Sequence, residues 1–216
     1  MISKNRLPQR LLLLAFGLLV LAFGVGFSVA ADLGVSPVSV PSFVFSLHWG
    51  ITMGFWVIAM HSAFILFQII LKGKKYKLID LTQMLSLLVF GYFVDFANWA
   101  LSGISTDIYI LRLLLMLISI VLISAGIVLF IGAKLASLPT EGFCLVVSEK
   151  YGFKFHRIKM IMDCSLVIFA IIFSFVALGG LYGVREGTVI SAVLVGKVIP
   201  YIRKPLSPLL NFATIS

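Results

Sequence analysis

Long apolar stretches without a charged residue constrain the fold of this chain more than any other feature of its sequence. Residues 11–31 contain no Asp, Glu, Lys or Arg, and neither do residues 33–71. A hydrocarbon layer about 30 Å thick is crossed by a helix of roughly 20 residues, so each stretch is long enough to span a membrane. Only 12% of the chain is charged and 61% is hydrophobic. A water-soluble domain cannot bury that much apolar surface, and the sequence therefore predicts an all-α membrane protein.

Hydropathy predicts six transmembrane helices. They cover residues 11–31, 51–71, 81–100, 110–133, 159–181 and 188–201. Lys4, Arg6 and Arg10 precede the first apolar run, which makes a cleaved signal peptide the alternative there. A run of about 21 residues is long for a signal peptide and favours a retained helix. The sixth span is short and carries Lys197.

The net charge of +9 indicates membrane topology rather than binding to nucleic acid. With the N-terminus in the cytoplasm, every Lys and Arg except Arg112 and Arg185 falls on the inner side. Short basic loops on the cytoplasmic side are the positive-inside pattern. The sequence therefore predicts a multi-pass protein of the cytoplasmic (inner) membrane, with both termini in the cytoplasm and in contact with anionic lipid. The two cysteines, Cys144 and Cys164, lack metal-ligand spacing, and no disulfide, metal or cofactor is expected.

The two halves of the chain align when the sequence is shifted by 102 residues. Ala31 then lies over Ala133, Pro37 over Pro139, Gly24 over Gly126, Gly50 over Gly152, and His61 over Asp163. A slip of three residues brings Gly91 over Gly196. Each copy holds three predicted spans, an odd number, so the second copy lies inverted in the membrane. We expect a single membrane domain, residues 1–216, built from inverted repeats at about 11–100 and 110–204, an architecture common among transporters.

Each predicted repeat also contains a short segment that hydropathy does not assign to a span. Residues 37–47 and 139–149 both open with a proline and end shortly before Gly50 and Gly152, which are helix boundary signals. Eleven helical residues cover about 16 Å, roughly half of the hydrocarbon thickness. The segments are either half-helices that enter the membrane from opposite faces or interfacial helices that lie flat. Glu141 and Glu149 favour the flat arrangement for the second segment.

Three stretches of the chain resemble the YitT/YczE-like bacterial membrane proteins. They are residues 31–37 (ADLGVSP), residues 91–95 (GYFVD), and Gly187-Thr188 followed by Gly196. The resemblance covers roughly residues 23–201 and implies a bacterial cytoplasmic-membrane protein. Members of that family often carry an acidic residue two positions after the first proline. Here that position is Ser39, whereas the second copy has Glu141, and Arg157 and Asp163 match the family's charged residues near the fifth helix.

Polar side chains inside the predicted spans indicate a functional or structural role, because a charge at the bilayer centre costs at least ~2.5 kcal/mol. His61 and its repeat partner Asp163 suggest a proton relay, and a structural hydrogen bond between helices is the alternative. Asp95 and Asn98 share one helical face, which indicates either a binding cavity or packing with one interhelical bond. Lys197 either reaches back toward the cytoplasm or lines a pathway. The candidate residues for a substrate or proton pathway are His61, Asp95, Asp163, Asn98, Ser36, Ser39, Glu141 and Lys197.

The sequence contains no recognisable catalytic motif. It has no glycine-rich phosphate loop, no paired His–Glu metal motif and no nucleophile motif, so we do not expect an enzyme. The leading hypothesis is a secondary transporter, a proton-coupled exporter of a small organic or amphipathic compound. The alternative is a substrate-binding or accessory membrane subunit of a larger complex. The expected partners are the lipid bilayer and a small-molecule substrate, and a homodimer or a partner membrane subunit is left open.

Overall fold

The computed structural model describes residues 6–73, 82–135 and 138–214, and these residues form eight α-helices and no strand. The helices are α1 Leu7–Ala31, α2 Val40–Trp49, α3 Met53–Lys72, α4 Thr82–Leu101, α5 Tyr109–Gly132, α6 Pro139–Tyr151, α7 Phe155–Leu178 and α8 Glu186–Thr214. The expected all-α fold is confirmed for this part of the chain. Predictions about Lys4, residues 74–81 and residues 136–137 fall outside the described residues.

Five of these helices are long and apolar enough to cross a membrane. They are α1, α3, α4 from Gln83, α5, and α7 from Arg157. The sixth predicted span, residues 188–201, lies inside α8 but is not one of the five. Lys197, Arg203 and Lys204 interrupt the apolar character of α8, which continues well past the predicted end of that span.

The long helices α1 and α5 pack antiparallel along glycine contacts. A Cβ atom at Gly24 would lie 2.7 Å from the backbone nitrogen of Ile123, and one at Gly126 would lie 2.6 Å from that of Leu21. Only glycine allows two helix backbones to approach this closely. Helix α4 packs against α1 and α3, and α8 packs against α5. The pair α1–α5 therefore forms the centre of the helical bundle.

The short helices α2 and α6 occupy opposite ends of the bundle, and each packs against both α3 and α7. Helix α6 begins at Pro139 as predicted, but the prediction that α2 begins at residue 37 is wrong. Residues 36–39 form a turn in which the Ser39 amide donates to the Ser36 carbonyl oxygen at 2.8 Å, which delays the helix to Val40. Left-handed glycines Gly50 and Gly152 end α2 and α6, as their positions in the sequence predicted.

Arginines hold the connections that follow α1 and α5. The Arg10 guanidinium is buried and donates to the carbonyl oxygens of Ala133 and Lys134, both at 2.8 Å. At the other end of the bundle, Arg112 donates to a carboxylate oxygen of Asp32 at 2.9 Å. Asp32 and Lys134 both adopt positive φ angles, 49° and 52°. Each arginine therefore stabilises a chain reversal that local sequence disfavours.

Candidate functional site

A half-buried group of charges joins α6 to α7, and we call it the ion cluster. Lys159 donates from Nζ to a carboxylate oxygen of Asp163 at 2.6 Å, one turn further along α7. The same Nζ lies 3.9 Å from a carboxylate oxygen of Glu141 on α6. The Thr140 hydroxyl donates to the other oxygen of Glu141 at 2.9 Å. One ammonium group therefore serves two carboxylates on different helices.

Helix α3 contacts the first turn of α6 beside the ion cluster. The Gln68 side-chain amide donates to the Pro139 carbonyl oxygen at 2.9 Å, and its oxygen accepts from Gln83 at 3.4 Å. A Cβ atom at Gly142 would lie 2.9 Å from the Gln68 side chain. The Gln68 side chain thus forms an interhelical hydrogen bond that ties α6 to the end of α3.

His61 is buried in the middle of α3. Its Nδ1 lies 2.9 Å from the Val57 carbonyl oxygen of the same helix, and 3% of the residue is exposed. Its ring packs at the edge of Phe64, which in turn contacts Phe143 of α6. Among the described residues no hydrogen bond joins His61 to Asp163. Both flank the region where α6 meets α3 and α7, and the relay interpretation needs a further group between them.

Aromatic rings close the other end of the space between α3 and α7. Phe45 of α2 lies 5.0 Å from Trp56 of α3 and 4.8 Å from Phe173 of α7, measured between ring centroids. Trp49 stacks against the same two rings at 4.8 and 5.4 Å. Edge-to-face and tilted pairs at these distances are favourable aromatic contacts. We call this group the aromatic cluster, and it links α2 to both long helices.

Asp95 and Asn98 share one face of α4, as predicted, and both side chains contact α3. The Gly54 amide donates to an Asp95 carboxylate oxygen at 2.6 Å, and Asn98 lies 3.6 Å from the Met53 sulfur. The first amides of a helix have no partner within the helix, so Asp95 caps α3 from the neighbouring helix. A Cβ atom at Gly54 would collide with the Gly91 carbonyl oxygen, which shows how tightly the two helices pack here.

An open groove of about 470 Å³ lies at the end of the bundle where α1 and α4 finish. Its polar lining includes Asn98, Asp32, Asp107 and Arg112. The Asn98 Oδ1 atom is buried without a hydrogen-bond partner, whereas Arg112 pairs with Asp32 at 2.9 Å and Asp107 at 3.4 Å. Of the predicted site residues, this groove therefore contains Asn98 and not Asp95.

The remaining predicted site residues, Ser36, Ser39 and Lys197, lie away from the ion cluster. Ser36 donates to the Ser39 hydroxyl at 3.1 Å within the turn that precedes α2, and Ser39 is buried. Lys197 is exposed on α8 and lines a separate groove of about 510 Å³. The structure thus brings Glu141 and Asp163 together, and it places His61, Asp95, Ser36 and Lys197 in other surroundings.

The sequence analysis did not identify Lys159 as a site residue. It used Lys159 only as the first residue of the fifth predicted span. Its position four residues before Asp163 is the spacing at which opposite charges pair on a helix, and that signal could have identified it. The sequence analysis assigned no role to Cys144. Its side chain is buried, and its sulfur lies 3.4 Å from the sulfur of Met162. Burial raises the pKa of the Cys144 thiol to about 11, so this cysteine is a poor nucleophile.

Comparison with known proteins identifies one similar membrane protein and a protein family. The chain is 27% identical over 211 residues to a protein of Bacillus subtilis (strain 168) described as "Uncharacterized membrane protein YczE", and the match covers 97% of this chain and 93% of the relative. No solved structure matches the chain significantly. The model of the family of unknown function DUF6198 matches residues 8–204. This chain therefore belongs to the DUF6198 family, in agreement with its YczE-like resemblance.

Proposed function

We propose that this protein is a secondary transporter of the bacterial cytoplasmic membrane, which exports a small organic or amphipathic compound in exchange for protons. One observation carries the proposal. Helices α2 and α6 each pack between α3 and α7 from opposite ends of the bundle, and the buried His61 lies on α3 between those two contacts. Alternating access requires a central polar position with a movable closure on each side. The aromatic cluster and the ion cluster provide such closures.

Inverted repeats are part of the proposal, and recurring structural features support them. Four kinds of feature recur at a separation of 102 residues. Two are backbone conformations: residues with positive φ angles (Asp32 and Lys134) and glycines that end short helices (Gly50 and Gly152). The other two are contacts: arginines that bind a chain reversal (Arg10 and Arg112) and close approaches between α1 and α5 (Gly24–Ile123 and Leu21–Gly126). The packing of α3 on α6 is likewise repeated by the packing of α7 on α2. A two-fold relation that exchanges α1 with α5 accounts for all of these features.

The two proposed repeats differ most in one helix contact. Helix α3 packs closely along α4, whereas α7 has no comparable packing against α8 in the described part of the chain. Inverted repeats that hold different conformations leave a transporter open toward one side, and exchange of those conformations opens the other side. The separation of α7 from α8 is therefore the asymmetry that an alternating-access protein needs.

The ion cluster supplies a proton-dependent link in this scheme. A proton on Asp163 removes the charge that holds Lys159 along α7. Lys159 then has Glu141 as its remaining partner, which strengthens the connection between α7 and α6. Release of the proton returns Lys159 to Asp163 and loosens α6. His61, buried near α6, provides the second titratable group on the opposite wall.

A flux measurement tests the proposal. We expect proteoliposomes with an internal pH-sensitive dye to show proton movement when an exported amphipathic compound is added. Asp163→Asn and His61→Ala should each reduce this coupled flux about tenfold or more, because loss of a positioned proton-transfer group typically costs 100-fold or more. Glu149→Gln is the matched control, because Glu149 is an exposed acidic residue of α6. Equal flux in all four proteins would refute the role given to these residues.

An accessory membrane subunit is the second candidate, and one observation favours it. Only 22% of the most apolar window of α7 is buried, the smallest share among the five candidate spans. A partner helix on this face would cover it. Co-purification of a stoichiometric membrane partner from native membranes, together with absence of coupled flux in proteoliposomes, would favour this function over transport.

A further inference from the structure

Helix α8 has an exposed face that its counterpart α4 does not have. In α4, a Cβ atom at Gly91 would lie 2.4 Å from Ile58 of α3, so that glycine is part of a close helix contact. In α8, Gly196 occupies the corresponding position of the second repeat and has nothing within 4 Å of its Cβ position. Val189 and Val193 on the same face are also exposed. No described residue covers this face of α8 around Gly196.

Two lysines line a groove of about 510 Å³ on that face. Its lining consists of Lys197, Pro200, Tyr201 and Lys204. Within the described part of the chain, neither lysine ammonium group makes a hydrogen bond or ion pair. No Asp or Glu follows Glu186 in the sequence, so α8 itself offers them no acidic partner near the groove. The groove therefore carries positive charge that nothing on its own helix neutralises.

Unpaired lysine side chains are unusual at the membrane depth that we expect for Lys197 and Lys204. Lys197 lies about 16 Å along the axis from the start of α8, and Lys204 about 27 Å, at 1.5 Å per residue. Helix α8 packs along α5, which is one of the five candidate spans. Beside α5, a hydrocarbon core about 30 Å thick would contain the Lys197 backbone and place Lys204 near the head groups. An unpaired lysine facing lipid at that depth is costly, and its long side chain reaches toward the head-group level.

Other features of the groove also suit a phospholipid head group. Pro200 has no N–H to donate to the Gly196 carbonyl, which leaves that backbone oxygen available. Tyr201 is 74% exposed, and exposed tyrosines favour the head-group level of a membrane. Below the lysines, the exposed valines of α8 offer an apolar surface for acyl chains.

We propose that this groove of α8 binds one anionic phospholipid of the surrounding bilayer, with its phosphate between Lys197 and Lys204. The charge complementarity selects an acidic head group over a zwitterionic one. The acyl chains lie along the open face around Gly196. This site does not depend on the transport proposal, because it requires only that α8 faces lipid.

Native mass spectrometry of the purified protein tests the site. We expect wild-type protein mixed with equal phosphatidylglycerol and phosphatidylcholine to retain one phosphatidylglycerol. Lys197→Gln/Lys204→Gln should weaken that retention about 30-fold, because each basic side chain near an anionic membrane surface contributes about fivefold in affinity. Lys134→Gln/Lys154→Gln removes the same charge from exposed lysines elsewhere and should leave retention unchanged. Lys197→Arg/Lys204→Arg should preserve it.

Several outcomes would overturn the proposal. Equal retention of both lipids would show that the head group is not selected, and equal retention by the Gln pair and its control would show that these lysines do not bind it. Stabilisation of the protein by millimolar inorganic phosphate, to the same extent as by phosphatidylglycerol, would assign the groove to free phosphate. A lipid-free dimer whose interface covers Gly196 would assign the face to a second copy.

Discussion

The glycine contacts between α1 and α5 yield the sharpest test of the fold. At Gly24 and Gly126 the atom nearest to an added Cβ is a backbone nitrogen of the opposite helix, which cannot move aside as a flexible side chain can. We predict that Gly24→Ala and Gly126→Ala destabilise the protein by similar amounts. Gly196→Ala, on the open face of α8, should not.

The expected magnitude follows from the distances. A Cβ atom at Gly126 would lie 2.6 Å from the Leu21 nitrogen, which is 0.8 Å short of the 3.4 Å at which ordinary contact begins. The two helices must separate by about that amount, and overpacking of this kind costs about 1–3 kcal/mol. For a chain of about 200 residues, 2 kcal/mol lowers the melting temperature by about 4–8 °C. Alanine at position 196 instead gains up to about 1 kcal/mol of helix propensity.

Thermal unfolding in detergent, followed by circular dichroism, measures these shifts. The reasoning requires the two α1–α5 variants to melt clearly below wild type and Gly196→Ala to melt at or above it. A similar loss at all three positions would show that glycine acts through helix propensity or lipid contact rather than through helix approach. A lower melting temperature for Gly126→Ala but not for Gly24→Ala would contradict the inference that both glycines make equivalent close contacts between α1 and α5.

Three further predictions concern single side chains. Asp95→Ala should cost about 1–2 kcal/mol because the Gly54 amide in the first turn of α3 loses its carboxylate acceptor, and the same unfolding assay should show little change for Asp107→Ala, whose side chain is fully exposed. Arg10→Gln should lower the melting temperature by more than Asp95→Ala, since two carbonyl oxygens lose a charged donor in a buried setting. In maleimide labelling at pH 8, Cys144 should react only after denaturation, because its side chain is buried. Burial raises the Cys144 pKa to about 11, so its thiolate is scarce at pH 8 and becomes abundant only above that value. Rapid labelling of Cys144 in the folded protein would contradict its described packing.

Sequence alone determined the features that depend on local composition. Uncharged runs of about 20 residues permit only helices in a membrane, so the all-α class and the five candidate spans were predictable. Gly50 and Gly152 ended short helices where expected, because a left-handed residue after a helix favours glycine whatever surrounds it. The start of α2 was not predictable in the same way, since a hydrogen-bonded turn at residues 36–39 competes with the helix.

Only the tertiary structure determined which helices supply the hydrogen-bond and ion-pair partners of the polar residues. Periodicity placed Asp95 and Asn98 on one face of α4 but could not identify α3 as the helix they meet. Likewise, Lys159 could be seen as a neighbour of Asp163, whereas its approach to Glu141 depends on how α6 packs beside α7. A hydropathy pattern records which face of a helix is apolar, and it contains no information about which helix lies opposite. The groove on α8 has the same origin, because its open face exists only where no neighbour packs.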